Sequence, residues 1–145
     1  MESSYKVALE AEPAPADMHT LVNGLTEFNA MQTGGQMPDY LLVSVRDSAG
    51  QLAGGLLGAT YLGWLQIQIV WMPDSLRGQG YGQELMEAAE KEGLRRGCNK
   101  VFLETFSFQA LPFYEKCGYK VFSRLADFPP GGARYALTKD LQPAA

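Results

Sequence analysis

The segment from Leu65 to Gly82 constrains this chain more than any other. An apolar, β-prone run ends at Pro73, a short polar turn follows, and the sequence Arg-Gly-Gln-Gly-Tyr-Gly leads into an amphipathic helix. Alternating glycines let a backbone approach a ligand without clashes from Cβ atoms. The start of the helix offers unpaired N–H groups and the positive end of its dipole. The segment therefore predicts an anion site suited to a pyrophosphate.

Two common phosphate-binding loops do not fit this segment. The spacing Gly78-x-Gly80-x-Gly82 is not the G-x-G-x-x-G of dinucleotide-binding folds, and no early βαβ unit precedes it. The Gly-Lys-Ser/Thr ending of a Walker loop is also missing. If the loop is taken alone, the alternative to an anion site is a flexible helix start that binds no ligand.

Composition narrows the class of protein. At 145 residues the chain is most simply one domain, 1–145, with a full core. A net charge of −4 and the lack of a basic run disfavour nucleic-acid binding. No apolar run reaches transmembrane length and no signal peptide is evident, so we expect no membrane association and a cytoplasmic protein. Cys98 and Cys117 lack metal-ligand spacing, so we expect no metal and two free thiols.

Hydrophobic periodicity predicts the element order β-α-β-β-β-α-β-α-β-β, which is a mixed sheet with helices on its faces. The first helix is expected to be capped by Asp17. The long helix after the glycine loop carries Glu90 to Glu92, Arg95 and Arg96, which we expect on a solvated face. The predicted strands are Tyr5–Leu9, Tyr40–Arg46, Leu52–Tyr61, Leu65–Met72, Val101–Thr105, Tyr119–Leu125 and Arg134–Lys139.

Two segments in this order resemble the GCN5-related N-acetyltransferase (GNAT) superfamily. Arg77–Gly82 is similar to the family's pyrophosphate loop, (Gln/Arg)-x-x-Gly-x-(Gly/Ala), and Ala110–Tyr119 is similar to its second cofactor segment, Ala-x-x-Phe-Tyr-x-Lys-x-Gly-Phe. The specific motifs cover residues 65–120, and the element order agrees over about the whole chain. The resemblance implies an α/β fold with a mixed, mostly antiparallel sheet of about seven strands, splayed in the middle, with helices on both faces.

The resemblance also implies an activity, the transfer of an acetyl group from acetyl-CoA to a primary amine with CoA as product. Both substrates bind together and the amine attacks directly. The expected acceptor is a small molecule, and a protein N-terminus or lysine is the alternative acceptor. A non-catalytic module that binds or senses acyl-CoA is a further alternative, and a homodimer is compatible with the family.

The resemblance implies two groups of cofactor-binding residues. The backbone of Ile69, Val70 and Trp71 is expected to pair with the pantetheine arm where a β-bulge splays the strand, and one N–H there is the expected oxyanion donor. Core packing is the alternative for these side chains. Many members carry Asn seven residues before the motif tyrosine, and here Ser107 or Gln109 is expected to replace it. The pyrophosphate is expected at Arg77, Gly78, Gln79, Gly80, Tyr81 and Gly82.

Candidate catalytic residues follow from the same resemblance. Tyr114 is the expected proton donor to the departing thiolate, with core packing as the alternative. Some relatives carry a glutamate on the central strand, where this chain has Gln66 and Gln68, and an amide cannot take a proton. Some relatives use a glutamate on the next strand as the base, so the resemblance makes Glu104 the candidate general base, and a paired structural carboxylate or an edge position is the alternative. His19, the only histidine, is expected at the surface.

Overall fold

A computed structural model describes residues 4–142. The chain divides into two compact units, Met1–Met37 and Pro38–Ala145. The prediction of one domain over 1–145 stays a prediction. None of the described helices is long and apolar enough to cross a membrane.

The first unit contains helix α1 (Pro15–Gln32). Pro15 opens the helix and Ala14 is the N-cap, so the prediction that Asp17 caps the helix is wrong. A proline at the first position has its φ preset for the helix, and the N-cap lies three residues upstream of the predicted one. Asp17 lies instead in the first turn, where its charge favours the helix dipole.

The predicted first strand, Tyr5–Leu9, is also wrong, because residues 4–10 contain no strand. Val7 and Leu9 are 105% and 95% exposed, so the alternation of apolar residues buries no face there. Strands are stabilised by cross-strand neighbours and a buried face, and this segment is not part of the sheet.

The second unit is built on a six-stranded sheet in the order β1-β2-β3-β4-β6-β5. Neighbouring strands are antiparallel except β3 and β4, which are parallel. The α/β fold with a mixed, mostly antiparallel sheet is confirmed, with six strands rather than about seven in the described chain. That helices cover both faces stays a prediction. The elements are β1 (Asp39–Arg46), β2 (Leu52–Tyr61), β3 (Trp64–Trp71), a 3-10 turn (Asp74–Leu76), α2 (Tyr81–Arg95), β4 (Lys100–Phe106), α3 (Leu111–Lys116), β5 (Lys120–Ala126) and β6 (Ala133–Asp140).

One residue too many in β3 shifts its register against β2. Leu57 pairs with Ile69 and Gly58 pairs with Ile67, so Gln68 is the extra residue of a β-bulge. A Cβ atom at Gly58 would lie 2.9 Å from the Gln66 carbonyl oxygen, so this approach of the two backbones needs glycine.

The bulge reverses which side chains of β3 face the core. Leu65 and Ile67 are buried before it. After it, Val70 and Met72 pack against the core. The two neighbours of Val70 on the strand, Ile69 and Trp71, are 54% and 56% exposed. Without the extra residue, strict alternation would have buried these two side chains.

The middle of the sheet opens at the same place. β3 pairs with β4 only at Leu65↔Val101 and Gln66↔Phe102. Within the described residues, the edge of β3 that continues past Gln66 has no strand partner, so the sheet is splayed as expected.

The charged face expected on α2 is wrong for Glu90, which is buried. Tyr119 donates a hydrogen bond of 2.7 Å to Glu90 Oε2, and Lys139 Nζ contacts Glu90 Oε1 at 2.9 Å. Burial raises the pKa of Tyr119, and its hydrogen bond to Glu90 raises it further. Glu90 follows Met86 by four residues, so it lies on the face that α2 turns to the core.

The end of α2 is tied to the first two strands through Arg96. Its Nη1 donates to the Asp39 carbonyl at 2.8 Å and to Thr60 Oγ1 at 3.2 Å. Glu92 Oε2 accepts from Arg96 Nε at 2.7 Å, and Glu92 also binds Arg95. These hydrogen bonds from Arg95 and Arg96 lower the pKa of Glu92 from 4.5 to about 2.

This shift predicts a stability change in acid. A carboxylate whose pKa is lower in the folded state stabilises the fold above its unfolded pKa of 4.5, and that stability is lost as the pH falls toward about 2. Glu92→Gln should therefore unfold at a lower urea concentration than the wild type at neutral pH. The difference should shrink between pH 4.5 and the folded pKa of about 2.

The control is Glu87→Gln, an exposed position on the same helix that no arginine contacts in the described chain. A Glu92→Gln difference that stays constant with pH would contradict the coupling.

Candidate functional site

A cleft of about 850 Å³ lies where β3 and β4 diverge. One wall is the second half of β3 with the glycine loop, and the other is the end of β4 with α3. The predicted residues that line it are Ile69, Val70, Trp71, Arg77, Gly78, Gly80, Gly82, Glu104, Gln109 and Tyr114. Gln79, Tyr81 and Ser107 do not line it.

The glycine loop places the start of α2 at one end of the cleft. Gly78 and Gly80 have φ of 74° and 88°, a conformation that other residues adopt only with strain. Gly80 is the N-cap of α2 and no side chain caps the first turn. The first-turn N–H groups therefore have no side-chain acceptor, which is the arrangement that binds anions at helix starts.

Two side chains of the loop brace it from within. Arg77 Nε donates to the Met72 carbonyl at 3.0 Å, and Arg77 Nη1 contacts Asp74 Oδ1 at 2.9 Å. Gln79 Nε2 donates to the Ser75 carbonyl at 2.8 Å. The Arg77 side chain remains 60% exposed, so its charge is still available at the cleft.

Tyr114 is brought to the cleft by α3, the short helix that follows β4. The residue is 9% exposed, so its ring packs in the core, as the alternative expected. The same side chain also lines the cleft. Burial raises the pKa of Tyr114, with a smaller contribution from Cys117. The phenol therefore keeps its proton at neutral pH and can act as a donor.

Glu104 lies at the cleft and also forms an ion pair. It lines the cleft, and its side chain is 35% exposed. Its Oε2 also lies 2.9 Å from Arg134 Nε. Sequence reasoning missed Arg134 as a site residue, and the only signal is its place two residues after the Pro-Pro-Gly-Gly turn.

Gln109 and Ser107 have different surroundings. Gln109 lines the cleft, and its Oε1 accepts from the Phe106 N–H at 2.7 Å and from Thr105 Oγ1 at 3.2 Å. Ser107 Oγ accepts from the Ala133 N–H at 3.0 Å, away from the cleft lining. Of the two alternatives, Gln109 is the one that lines the cleft.

The two glutamines of β3 and His19 have different places in the fold. Gln68, the bulge residue, lines the cleft, whereas Gln66 lines a second cavity of about 320 Å³ with aromatic walls. His19 is exposed on α1, in the other unit. The described residues contain no group of three His, Cys, Asp or Glu that could hold a metal.

Comparisons with known proteins give a consistent picture. Residues 8–119 match the family model described as Acetyltransferase (GNAT) family. The chain is 38% identical over 93 residues to the blasticidin-S acetyltransferase of Streptomyces morookaense, which covers 63% of this chain and 68% of that protein.

Solved structures agree with the fold. An acetyltransferase from Bacillus cereus superposes with a TM-score of 0.76 at 27% identity, over 92% of this chain and 98% of that one. An aminoglycoside 6'-N-acetyltransferase complexed with coenzyme A superposes with a TM-score of 0.65, over 82% of this chain and 80% of that one. At 19% identity the second similarity is one of fold alone.

Both cysteines are free, and burial raises the pKa of each thiol. The thiolate fraction is therefore small, and both thiols should react slowly with Ellman's reagent in the folded protein and rapidly in concentrated guanidinium chloride. Comparison with Cys117→Ser assigns each phase of the reaction. A fast native reaction of either thiol would mark a nucleophilic cysteine and contradict this expectation.

Proposed function

Because this chain belongs to the GNAT family of acetyltransferases, we propose that it transfers an acetyl group from acetyl-CoA to a primary amine of a small molecule. The observation that carries the proposal is a single cleft with an uncapped helix start at one end and Tyr114 and Glu104 in its walls. An anion-binding end and a proton-transfer end in one cavity suit a donor with a phosphate-bearing handle.

The donor side is supported by backbone groups. The edge of Ile69 to Trp71 faces the cleft without a strand partner in the described chain, and an extended arm can pair with it as a strand does. An N–H on this edge is also placed to stabilise an oxyanion. The bound acetyl-CoA supplies an activated thioester, and the protein's part is to hold and polarise it.

The proton transfers are assigned to two side chains. The amine nitrogen forms its bond to the acetyl carbon as the bond to sulfur breaks, with both substrates bound together. Glu104 accepts the proton that the amine loses. Tyr114 donates its phenolic proton to the departing sulfur and later regains one from solvent. No cysteine takes part, because both thiols are held in their protonated form.

The acceptor is proposed to be a small molecule because the relative from Streptomyces morookaense acts, by its name, on blasticidin S. Acceptors on a protein N-terminus or lysine are the alternative. A module that binds acyl-CoA without catalysis has less support, since Tyr114 and Glu104 line one cavity. Two free thiols agree with a cytoplasmic location. A homodimer also belongs to the proposal, because the edge strand β5 is exposed along its length.

Donor binding can be tested by thermal unfolding with acetyl-CoA, CoA or ATP. A ligand at about 100 times its Kd stabilises a protein by about 2.7 kcal/mol, which raises the Tm of a chain of this size by about 5–10 °C. We expect this rise with both CoA species and little with ATP.

A matched pair of glycine variants locates the donor site. Gly80→Ala and Gly63→Ala place a Cβ at φ of 88° and 86° with open space around it, so each should cost about 1–2 kcal/mol. Only Gly80→Ala should reduce the shift caused by CoA. If CoA does not raise the Tm of the wild-type protein, the acetyltransferase proposal is wrong.

The role of Tyr114 can be tested by Tyr114→Phe, which keeps the ring and removes the proton. We expect kcat to fall by about 100-fold or more, with the Kd for acetyl-CoA unchanged. Release of CoA thiol measures kcat with blasticidin S, spermidine and kanamycin as trial amines.

The control is Tyr119→Phe, the neighbouring tyrosine that binds Glu90. It should lower stability by about 1–3 kcal/mol and leave kcat close to that of the wild type. Equal kcat in Tyr114→Phe and the wild type would exclude the donor role.

A further inference from the structure

Arg134 lies outside both family motifs, yet its charge reaches the wall of the cleft. It is the second residue of β6 and pairs in register with Phe106 of β4. Its Nε is 2.9 Å from Oε2 of Glu104, which lies two residues before Phe106 on the same strand. Residues two apart on a strand share one face of the sheet, so Arg134 and Glu104 meet on the face that also carries the Phe106 ring.

Two neighbouring aromatic rings contact the Arg134 guanidinium. Its central carbon lies 5.2 Å from the centre of the Phe106 ring and 5.2 Å from that of Phe128. The two rings are themselves 5.3 Å apart, and Phe108 of the cleft wall stacks on Phe106 at 5.3 Å. A planar guanidinium gains cation–π energy from such rings, and lysine cannot reproduce the stacked geometry.

The loop that carries Phe128 is anchored independently of this cluster. Ser107 N–H donates to the Ala133 carbonyl at 2.8 Å, and the Ala133 N–H donates to Ser107 Oγ at 3.0 Å. The Asp127 N–H closes the loop on the Gly132 carbonyl at 2.9 Å. Phe128 is thereby a fixed support for Arg134 rather than part of a free loop.

The contact between Arg134 and Glu104 is an ion pair. Arg134 Nε is shielded from solvent, and its contact with Glu104 Oε2 lacks the alignment of a hydrogen bond, so the attraction is one between charges. Glu104 also lines the cleft, and its side chain is 35% exposed. The carboxylate is therefore held by charge and is still accessible to a ligand in the cleft.

We propose that Arg134 is a positioning residue for the acceptor. Held against Phe106 and Phe128, it keeps the Glu104 carboxylate at the cleft so that this group meets the acceptor amine. This inference rests on the proposed acetyl transfer. If Arg134 had a structural role alone, replacing it would lower the stability of the fold, and its effect on activity would not depend on the Glu104 carboxylate.

A double-mutant cycle tests the path through Glu104. The proteins are the wild type, Arg134→Met, Glu104→Gln and the double variant, with Arg134→Lys as the conservative change. The kinetics use the best acceptor among blasticidin S, spermidine and kanamycin. Arg134→Met should lower kcat/KM for the amine by about 10- to 100-fold with the Kd for acetyl-CoA unchanged, and Arg134→Lys should recover part of the loss.

In the Glu104→Gln background, Arg134→Met should cost less than about twofold, because the carboxylate that it positions is gone. Losses that multiply independently in the double variant would overturn the proposal.

A crystal structure of Arg134→Met gives a second readout that needs no activity. The Glu104 carboxylate should leave its position by about 1 Å or more, or lose its order. An unchanged carboxylate would overturn the positioning role. If the wild type acetylates no amine while the carboxylate moves in Arg134→Met, the proposed function fails and the positioning of Glu104 by Arg134 stands.

Discussion

The extra residue at Gln68 determines the form of the rest of the second unit. β3 must pair with β2 along its whole length and must also leave β4, and a regular strand cannot do both. The bulge changes the direction of the strand and ends its pairing with β4 after Gln66. The cleft is the space that this divergence opens, and α2 and α3 supply its ends. Helix start, tyrosine and carboxylate face one cavity because two strands separate at one point.

The features predicted correctly from sequence are those that local conformation determines. Gly78 and Gly80 require positive φ, Pro73 ends a strand, and an amphipathic run follows, so the helix start could be placed without knowing the fold. The bulge could not be placed this way, because Ile67 and Ile69 are identical residues on either side of it. Their different burial is decided by the partner strand, where the backbone approaches too closely for a side chain.

Several of the differences share a physical cause, since they depend on residues far along the chain. Glu90 has the charge of a typical surface residue, but its partners Tyr119 and Lys139 lie 29 and 49 residues away. The role proposed for Arg134 depends on its contacts with Phe106, Phe128 and Glu104. No local sequence pattern predicts these contacts. The segment Tyr5–Leu9 shows the reverse case. Its local alternation of apolar residues predicts a strand, but the segment pairs with no strand of the sheet in the described residues.

The exposure of Ile69 and Trp71 bears on how a protein of this kind diversifies. Their backbone groups lie on the strand edge proposed for the donor, and every residue type supplies the same backbone groups. Their side chains point away from the core, so replacing them leaves no cavity behind. Point substitutions at these two positions can therefore reshape the outer rim of the cleft while the donor-binding frame persists. Proteins with such a strand can change their acceptor specificity by single substitutions, one side chain at a time.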